Sequence, residues 1–336
     1  MLNTLKKTYE KKSLLAQTPR QKSLFDELDF TYESKPILRS ALFYVGDKYK
    51  LMKELRVFFP KNIKRYFEAF VGGGSSFLNT KAKSYFLNDI DSHIISLHRF
   101  LQSKAGAKEE FFNKLFALIK EYNLTCSFLH FLPPQGLKEQ YKKTYFARFN
   151  KEAYINLRAD FNADKKDFFR LYLLLIYGFN HFLRFNVRGE FNLPVGNVDF
   201  NNNVFKALNE HLDFIKDKNI SFFNEDYKSF LSRFSFERGD FIYFDPPYLI
   251  SGSEYNKLWS EKHEQELYVL LKELDLQGVK WGLSNLLSHK GRKNELLLEF
   301  AKNYQSHKIK SNYISFNDNS IKKDSCELYI TNFKET

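Results

Sequence analysis

The chain has 336 residues and a mass of 40.0 kDa, with 43% hydrophobic and 27% charged residues, so it can bury a sizeable core and is not a disordered protein. Its longest apolar run, residues 171–179, is far shorter than a bilayer crossing, and mean hydropathy is −0.47, which excludes a helical membrane protein. Fifty-two Lys and Arg against forty Asp and Glu leave a formal charge of +12, a field that favours a polyanion such as nucleic acid.

Residues 1–35 are polar, Lys-rich and weakly periodic, and read as an N-terminal extension without the apolar stretch of a secretory signal. Two cysteines, Cys126 and Cys326, make neither a disulfide framework nor a zinc site alone, and a reducing cytoplasm is the expected compartment. From Pro36 the texture changes. Residues 50–59 (KLMKELRVFF) have helical spacing and stop at Pro60. Residues 65–71 (RYFEAFV) read as a buried strand running into Gly72-Gly73-Gly74, with Ser75-Ser76-Phe77-Leu78 opening a helix. A second strand at 84–87 ends at Asn88-Asp89, and 92–100 is the helix after it. Strand, glycine loop, helix, strand, acid is the first half of a parallel, doubly wound sheet.

Residues 125–216 are rich in Arg, Asn, Lys and aromatics, with helical patches at 151–161 and 166–176 and an irregular stretch at 177–203. Alternation then resumes, with strands at 220–223 and 240–244 (DFIYF), a helix at 264–274, a strand at 279–283 and a closing strand at 327–333 (ELYITNF). The expected organisation is therefore one α/β domain, 36–124 and 217–336, split by an insertion at 125–216. No internal repeat is visible.

The strand at 240–244 ends on Asp245-Pro246-Pro247-Tyr248. By composition this tetrapeptide is a roughly one-in-a-thousand occurrence in the chain. Its place matters more, since ligands of open α/β sheets sit at the carboxyl ends of strands. Such a motif suits methylation of an exocyclic amine, whose lone pair is delocalised into its ring. Two acceptors aimed at the amine hydrogens draw the nitrogen towards sp³ and free that pair. Asp245 supplies one acceptor, and the Pro246 carbonyl, held in direction by Pro246 and Pro247, supplies the other. Tyr248 offers a face on which an extruded base can stack. The loop Phe70-Val71-Gly72-Gly73-Gly74-Ser75 lets a ligand lie against the backbone, and Asp89 stands where a ribose-binding acid belongs. Together these describe a pocket for an adenosine-bearing methyl donor. A dinucleotide oxidoreductase is the competing reading of the glycine loop, and it leaves DPPY unexplained.

YVGDKYKL (44–51), FVGGGSSFLN (70–79), LNDID (87–91), YGFNHFLRFNVRGEFNLPVGN (177–197) and YFDPPY (243–248) occur in an order that resembles the Dam-like family of adenine-N6 DNA methyltransferases. The likeness covers residues 36–333. It implies a Rossmann-like S-adenosylmethionine-dependent methyltransferase sheet with a mostly helical target-recognition insertion. S-adenosylmethionine would be the donor, leaving as S-adenosylhomocysteine, with no metal, and the substrate would be double-stranded DNA. Tyr44, Lys48, Asp89 and Asp245 would line the donor site with Phe70, Gly72 and Gly74. Tyr44 would pack on the donor, Lys48 would sit near the loop, and Asp226 would lie near the donor's adenine. Tyr248 would hold the flipped base. One departure is Tyr44-Val45-Gly46-Asp47-Lys48, where many members carry Trp, Ala, Gly, Gly, Lys.

Arg184 and Arg188 flank an irregular aromatic loop inside the insertion and are candidates for base-edge contact. Asn186 and Asn192 match the family's loop pattern. Members that read GATC carry an aromatic after the proline and Arg-Tyr after the glycine, whereas this chain has Val195 and Asn197-Val198. A CATG target is therefore preferred to GATC, with Asn197 at the altered position. A restriction endonuclease acting on the same site is the partner this resemblance allows. Cytosine-N4 methylation and a catalytically silent DNA-binding regulator are the alternatives; Asp at 245 favours adenine, and the intact motifs favour an enzyme. His93 and His98 read as helix-surface positions, and the pairs Lys142-Lys143 and Lys322-Lys323 as solvated faces.

Overall fold

The strand expected at 240–244 forms as read, and its five residues are all buried. Phe241 and Tyr243 face one core while Ile242 and Phe244 face another, the period of two required of a strand covered on both sides. The computed structural model describes residues 36–251, 259–309 and 325–334. The extension at 1–35 and the Lys322-Lys323 pair lie outside the described residues.

Among the described residues, eight strands form one sheet. They are β1 (Ile63–Glu68), β2 (Ala82–Asn88), β3 (Asn219–Phe223), β4 (Asp240–Phe244), β5 (Lys280–His289), β6 (Arg292–Lys293), β7 (Gln305–Ile309) and β8 (Cys326–Thr331). The order is β3-β2-β1-β4-β5-β8-β7, with β6 paired to β5. β1 to β5 pair in parallel, whereas β8 runs antiparallel to both β5 and β7. The expected parallel sheet thus ends in an antiparallel edge. The chain builds outwards from β1 to β2 and β3, then returns to the other side of β1 as β4. The carboxyl ends of β1 and β4 therefore flank the point where strand order reverses, the place where open α/β sheets bind ligands.

Several boundaries differ from the sequence reading. The strand read at 65–71 ends at Glu68, so Phe70 belongs to the loop. The helix read at 50–59 divides into Met52–Leu55 and a 3₁₀ turn, Arg56–Phe58, ahead of Pro60. A helix at Lys108–Glu121 escaped that reading, although Phe111, Phe112, Leu115, Leu118 and Ile119 give it a buried stripe at helical spacing.

Within 125–216 the helix Tyr145–Ala163 encloses the one expected at 151–161, and Phe168–Tyr177 starts two residues later and ends one later than the one expected at 166–176. Phe168–Tyr177 is buried continuously from Leu171 to Tyr177, and its tyrosines need partners for their hydroxyls. Tyr172 donates to the Ala41 carbonyl at 3.1 Å, and Tyr177 to that of Thr125 at 2.6 Å. Leu101, Leu115, Tyr172, Leu208 and the strand residues Tyr66 and Phe241 belong to one continuous buried cluster, so residues 125–216 and one face of the sheet share a core. No helix among the described residues is long and apolar enough to cross a membrane.

Candidate active site at the carboxyl ends of β1 and β4

Two segments meet at the reversal point because β1 and β4 are paired, in register from Arg65 against Asp240 to Glu68 against Tyr243. β1 leads into the glycine loop, and β4 delivers Asp245-Pro246-Pro247-Tyr248. A third segment, Tyr44–Lys48, folds over the glycines. A Cβ placed on Gly73 would lie 3.2 Å from the Cβ of Tyr44, so a larger residue there would push Tyr44 back by a few tenths of an ångström. Tyr44 stacks on Phe182, with centroids 6.2 Å apart, which ties the turn to the insertion.

Lys48 is buried. Its ammonium is 2.7 Å from Asp245 Oδ2, with side-chain exposures of 5% and 16%, and it donates to the Gly46 carbonyl at 3.3 Å. It also stands 4.8 Å from the centre of the Tyr248 ring. Burial raises the Asp245 carboxyl and Lys48 opposes that rise, so the ion pair keeps an acceptor in a poorly solvated place. The Tyr248 hydroxyl reaches Asp245 Oδ1 at 3.1 Å and Glu327 Oε1 at 2.8 Å. Burial lifts Glu327 to about 7, and Glu68, on β1 beneath Asp245, is pushed well above the usual carboxylate range. Glu68 accepts from Tyr66 Oη at 3.2 Å, and Tyr66 meets Ser76 Oγ at 2.6 Å.

Asp89 closes the glycine loop. Its Oδ2 accepts from the Gly72 amide at 2.8 Å and its Oδ1 from that of Asp91 at 2.9 Å. Burial lifts its carboxyl to about 6. Asp226 is exposed and caps the helix Tyr227–Ser232, accepting from the Lys228 amide at 2.9 Å. It neighbours an aromatic group in which Phe70 lies 5.2 Å from Tyr227 and 5.8 Å from Trp259. Trp259 is held by Glu264, which also accepts from Tyr268, Asn285 and Asn294. The buried Tyr227 hydroxyl has no hydrogen-bond partner among the described residues. An open glycine backbone, an acid, flat aromatic walls and an unmatched hydroxyl fit an adenosine-bearing ligand.

His98 corrects the reading of His93 and His98 as helix surface. It is fully buried, its Nε2 donates to the Gly72 carbonyl at 2.8 Å, and its ring stacks on Phe222. Burial lowers it to about 4, leaving it neutral. The cause is its phase: Ile94, Ile95, Leu97 and Leu101 are buried on the same helix. His93 is half-buried, its ring stacked 3.7 Å from that of Phe185.

Gly74, at φ +82°, begins the helix Ser75–Leu78, and a Cβ there would come within 2.4 Å of the Phe77 ring and 2.9 Å of His98. Gly72, at φ +45°, has only Tyr44 nearby, at 3.9 Å. Gly74→Ala is expected to cost roughly 2–4 kcal/mol from left-handed strain and overpacking. Gly72→Ala keeps only the strain. Urea denaturation measures both, and equal losses would contradict this account of the loop.

The candidate DNA-contacting residues lie apart from these motifs on a hairpin-like loop, where Phe185 bridges Phe191. Asn186 shapes its tip, accepting from the amides of Arg188 and Glu190. Arg184 and Arg188 are exposed, but Arg184 is braced on Asn192, through Nε at 2.8 Å and Nη2 at 2.7 Å. The Asn197 side-chain oxygen accepts from the amides of Phe146 and Ala147, at the start of the helix Tyr145–Ala163. That oxygen is therefore committed to the fold, while Arg188 and the exposed Val187 stand at the tip. Glu327, Glu68, His98 and Trp259 are the site residues that sequence reasoning missed. A cavity of about 420 Å³ lined by Pro60, Arg238, Gly239 and Lys280 lies at the opposite, amino ends of β4 and β5, away from this chemistry.

A family profile described as D12 class N6 adenine-specific DNA methyltransferase matches residues 44–315. The type II methyltransferase M.FokI of Planomicrobium okeanokoites is 31% identical over 311 residues, covering 90% of this chain and 44% of that protein. The modification methylase StsI of Streptococcus sanguinis is 29% identical over 316 residues, again covering 90% and 44%. A DNA adenine methylase of Escherichia coli K12 is 30% identical over 213 residues, 62% of this chain and 65% of that protein. The chain thus spans less than half the length of the first two relatives.

Proposed function

This chain belongs to the D12 class of N6 adenine-specific DNA methyltransferases, and from that premise we propose that it transfers a methyl group from S-adenosylmethionine to the N6 of adenine in duplex DNA. The observation that carries the reading is the buried Lys48–Asp245 pair at the carboxyl end of β4, directly beside the glycine loop of β1. When bound, the donor supplies an electrophilic methyl group. The protein's own part is to position the amine and hold its hydrogens. Asp245 and the Pro246 carbonyl accept them, Pro247 stiffens the turn, and the Tyr248 ring meets the base. Phe70, Gly72, Gly74, Asp89 and Asp226 hold the donor, with Tyr44 packed against it.

In this reading residues 36–124 and 217–336 are the catalytic domain and 125–216 the target-recognition insertion. Arg188 is the leading candidate for a guanine edge, with Arg184, Asn186, Asn192 and Asn197 shaping the loop around it. The proposed target is CATG rather than GATC, and the protein works on DNA in the cytoplasm. A restriction endonuclease of the same site is its proposed partner, a reading supported by relatives named as a type II methyltransferase and a modification methylase. Sequencing of modified bases in plasmid DNA from a host that expresses the chain tests base and site together. N6-methyladenine within CATG is the expected result. Modification at GATC or at another sequence overturns the target, and modified cytosine overturns the chemistry.

A further inference from the structure

The Tyr248 hydroxyl lies 3.1 Å from Asp245 Oδ1 and 2.8 Å from Glu327 Oε1, yet a phenol carries one proton. With both carboxyls ionised, one contact is a hydrogen bond and the other sets lone pair against lone pair. One added proton on the pair makes both contacts hydrogen bonds. Lys48, 2.7 Å from Asp245, favours negative charge there, so that proton belongs on Glu327.

We propose that Glu327 is a positioning residue whose proton sets which carboxylate the Tyr248 hydroxyl faces, and so how well Asp245 Oδ1 accepts an amine hydrogen. The proposal rests on the methyltransferase reading of the site. With Glu327 protonated, it donates to Tyr248 Oη, and Tyr248 donates onward to Asp245 Oδ1, which makes that oxygen a weaker acceptor for the amine. With Glu327 ionised, Tyr248 donates to the nearer Glu327, and Asp245 Oδ1 faces the substrate. Burial places this switch at about 7. The groups that face Glu327 are Lys48 and Glu54 from the N-terminal segment, Tyr243 on β4, and Asp245 and Tyr248 just beyond it. Lys48 lowers the Glu327 carboxyl, while Asp245 and Glu54 raise it. Its register partners, Leu286 on β5 and Ile309 on β7, carry no charge.

Glu327→Gln keeps the size and a hydrogen bond to Tyr248 but cannot titrate. In single-turnover methyl transfer, the wild-type rate should rise about ten-fold per pH unit below the Glu327 transition and level off above it. That limb should vanish in E327Q. In the protein without donor or DNA, carbon-13-labelled glutamate should show a carboxyl resonance titrating near neutrality that is missing in E327Q and displaced in Tyr248→Phe. A wild-type limb retained in E327Q overturns the proposal. So does a Glu327 resonance in the ordinary carboxylate range, or one indifferent to the Tyr248 hydroxyl. If the wild-type protein transfers no methyl group at all, the methyltransferase reading fails instead, and the resonance alone judges Glu327.

Discussion

Asp245→Asn is expected to reduce methyl transfer by at least 10²–10³-fold, on the order of what one lost transition-state hydrogen bond costs in a preorganised site. An amide presents one acceptor where the carboxylate presents two, and it carries no charge to balance the positive nitrogen that forms. Asp245→Ala should abolish the reaction, but it also strands the buried Lys48 ammonium, whose side chain is only 5% exposed. Part of any loss in the alanine variant therefore reflects displacement of Lys48, and the asparagine variant separates the two effects. Tritiated methyl incorporation under single-turnover conditions gives the rate, and thermal denaturation reports the fold. Full activity in the asparagine variant would falsify the acceptor role.

Asp89→Ala should weaken donor binding by about 2–3 kcal/mol, the value of charge-assisted hydrogen bonds lost from a buried site. The structure adds a second duty, since Asp89 also accepts from the amides of Gly72 and Asp91 and so shapes the loop. Asp89→Asn keeps an acceptor for one amide and loses the charge, so an intermediate loss is expected. The sign with pH follows from the raised carboxyl. Ionised Asp89 is the better acceptor for ribose hydroxyls, and it ionises at about 6, so affinity should grow as pH rises through that value. Titration calorimetry with S-adenosylhomocysteine, repeated on either side of that value, measures both effects. An unchanged dissociation constant in Asp89→Ala would leave Asp89 with its loop-shaping role alone.

The parts of the site legible in sequence were those encoded by neighbours in the chain. Strand, glycines and helix start are contiguous at 63–78, and DPPY follows its strand directly, so chain order alone placed them together. Glu327 is 79 positions from Tyr248 and meets it because β8 folds back antiparallel between β5 and β7. Nothing local announces that pairing, although a glutamate opening the apolar run LYIT was a visible oddity. Trp259 depends on a carboxylate that gathers donors from β5 and from Asn294, the N-cap of the helix Glu295–Ala301. His98 differs, because its buried phase was readable from Ile94, Ile95 and Leu101. The insertion's packing was hidden for the same non-local reason as Glu327: Tyr172 bonds to Ala41 across 131 positions.

The proposed methylation of adenine N6 by this chain is tested most directly by incubating the purified protein with S-adenosylmethionine and unmethylated duplex DNA. The DNA is then digested to nucleosides for mass spectrometry, with Asp245→Asn run in parallel. The account predicts N6-methyladenine that accumulates with time in the wild-type reaction and is nearly absent from the variant. N4-methylcytosine in its place, or no methylated base from a folded protein that binds the donor, would contradict it.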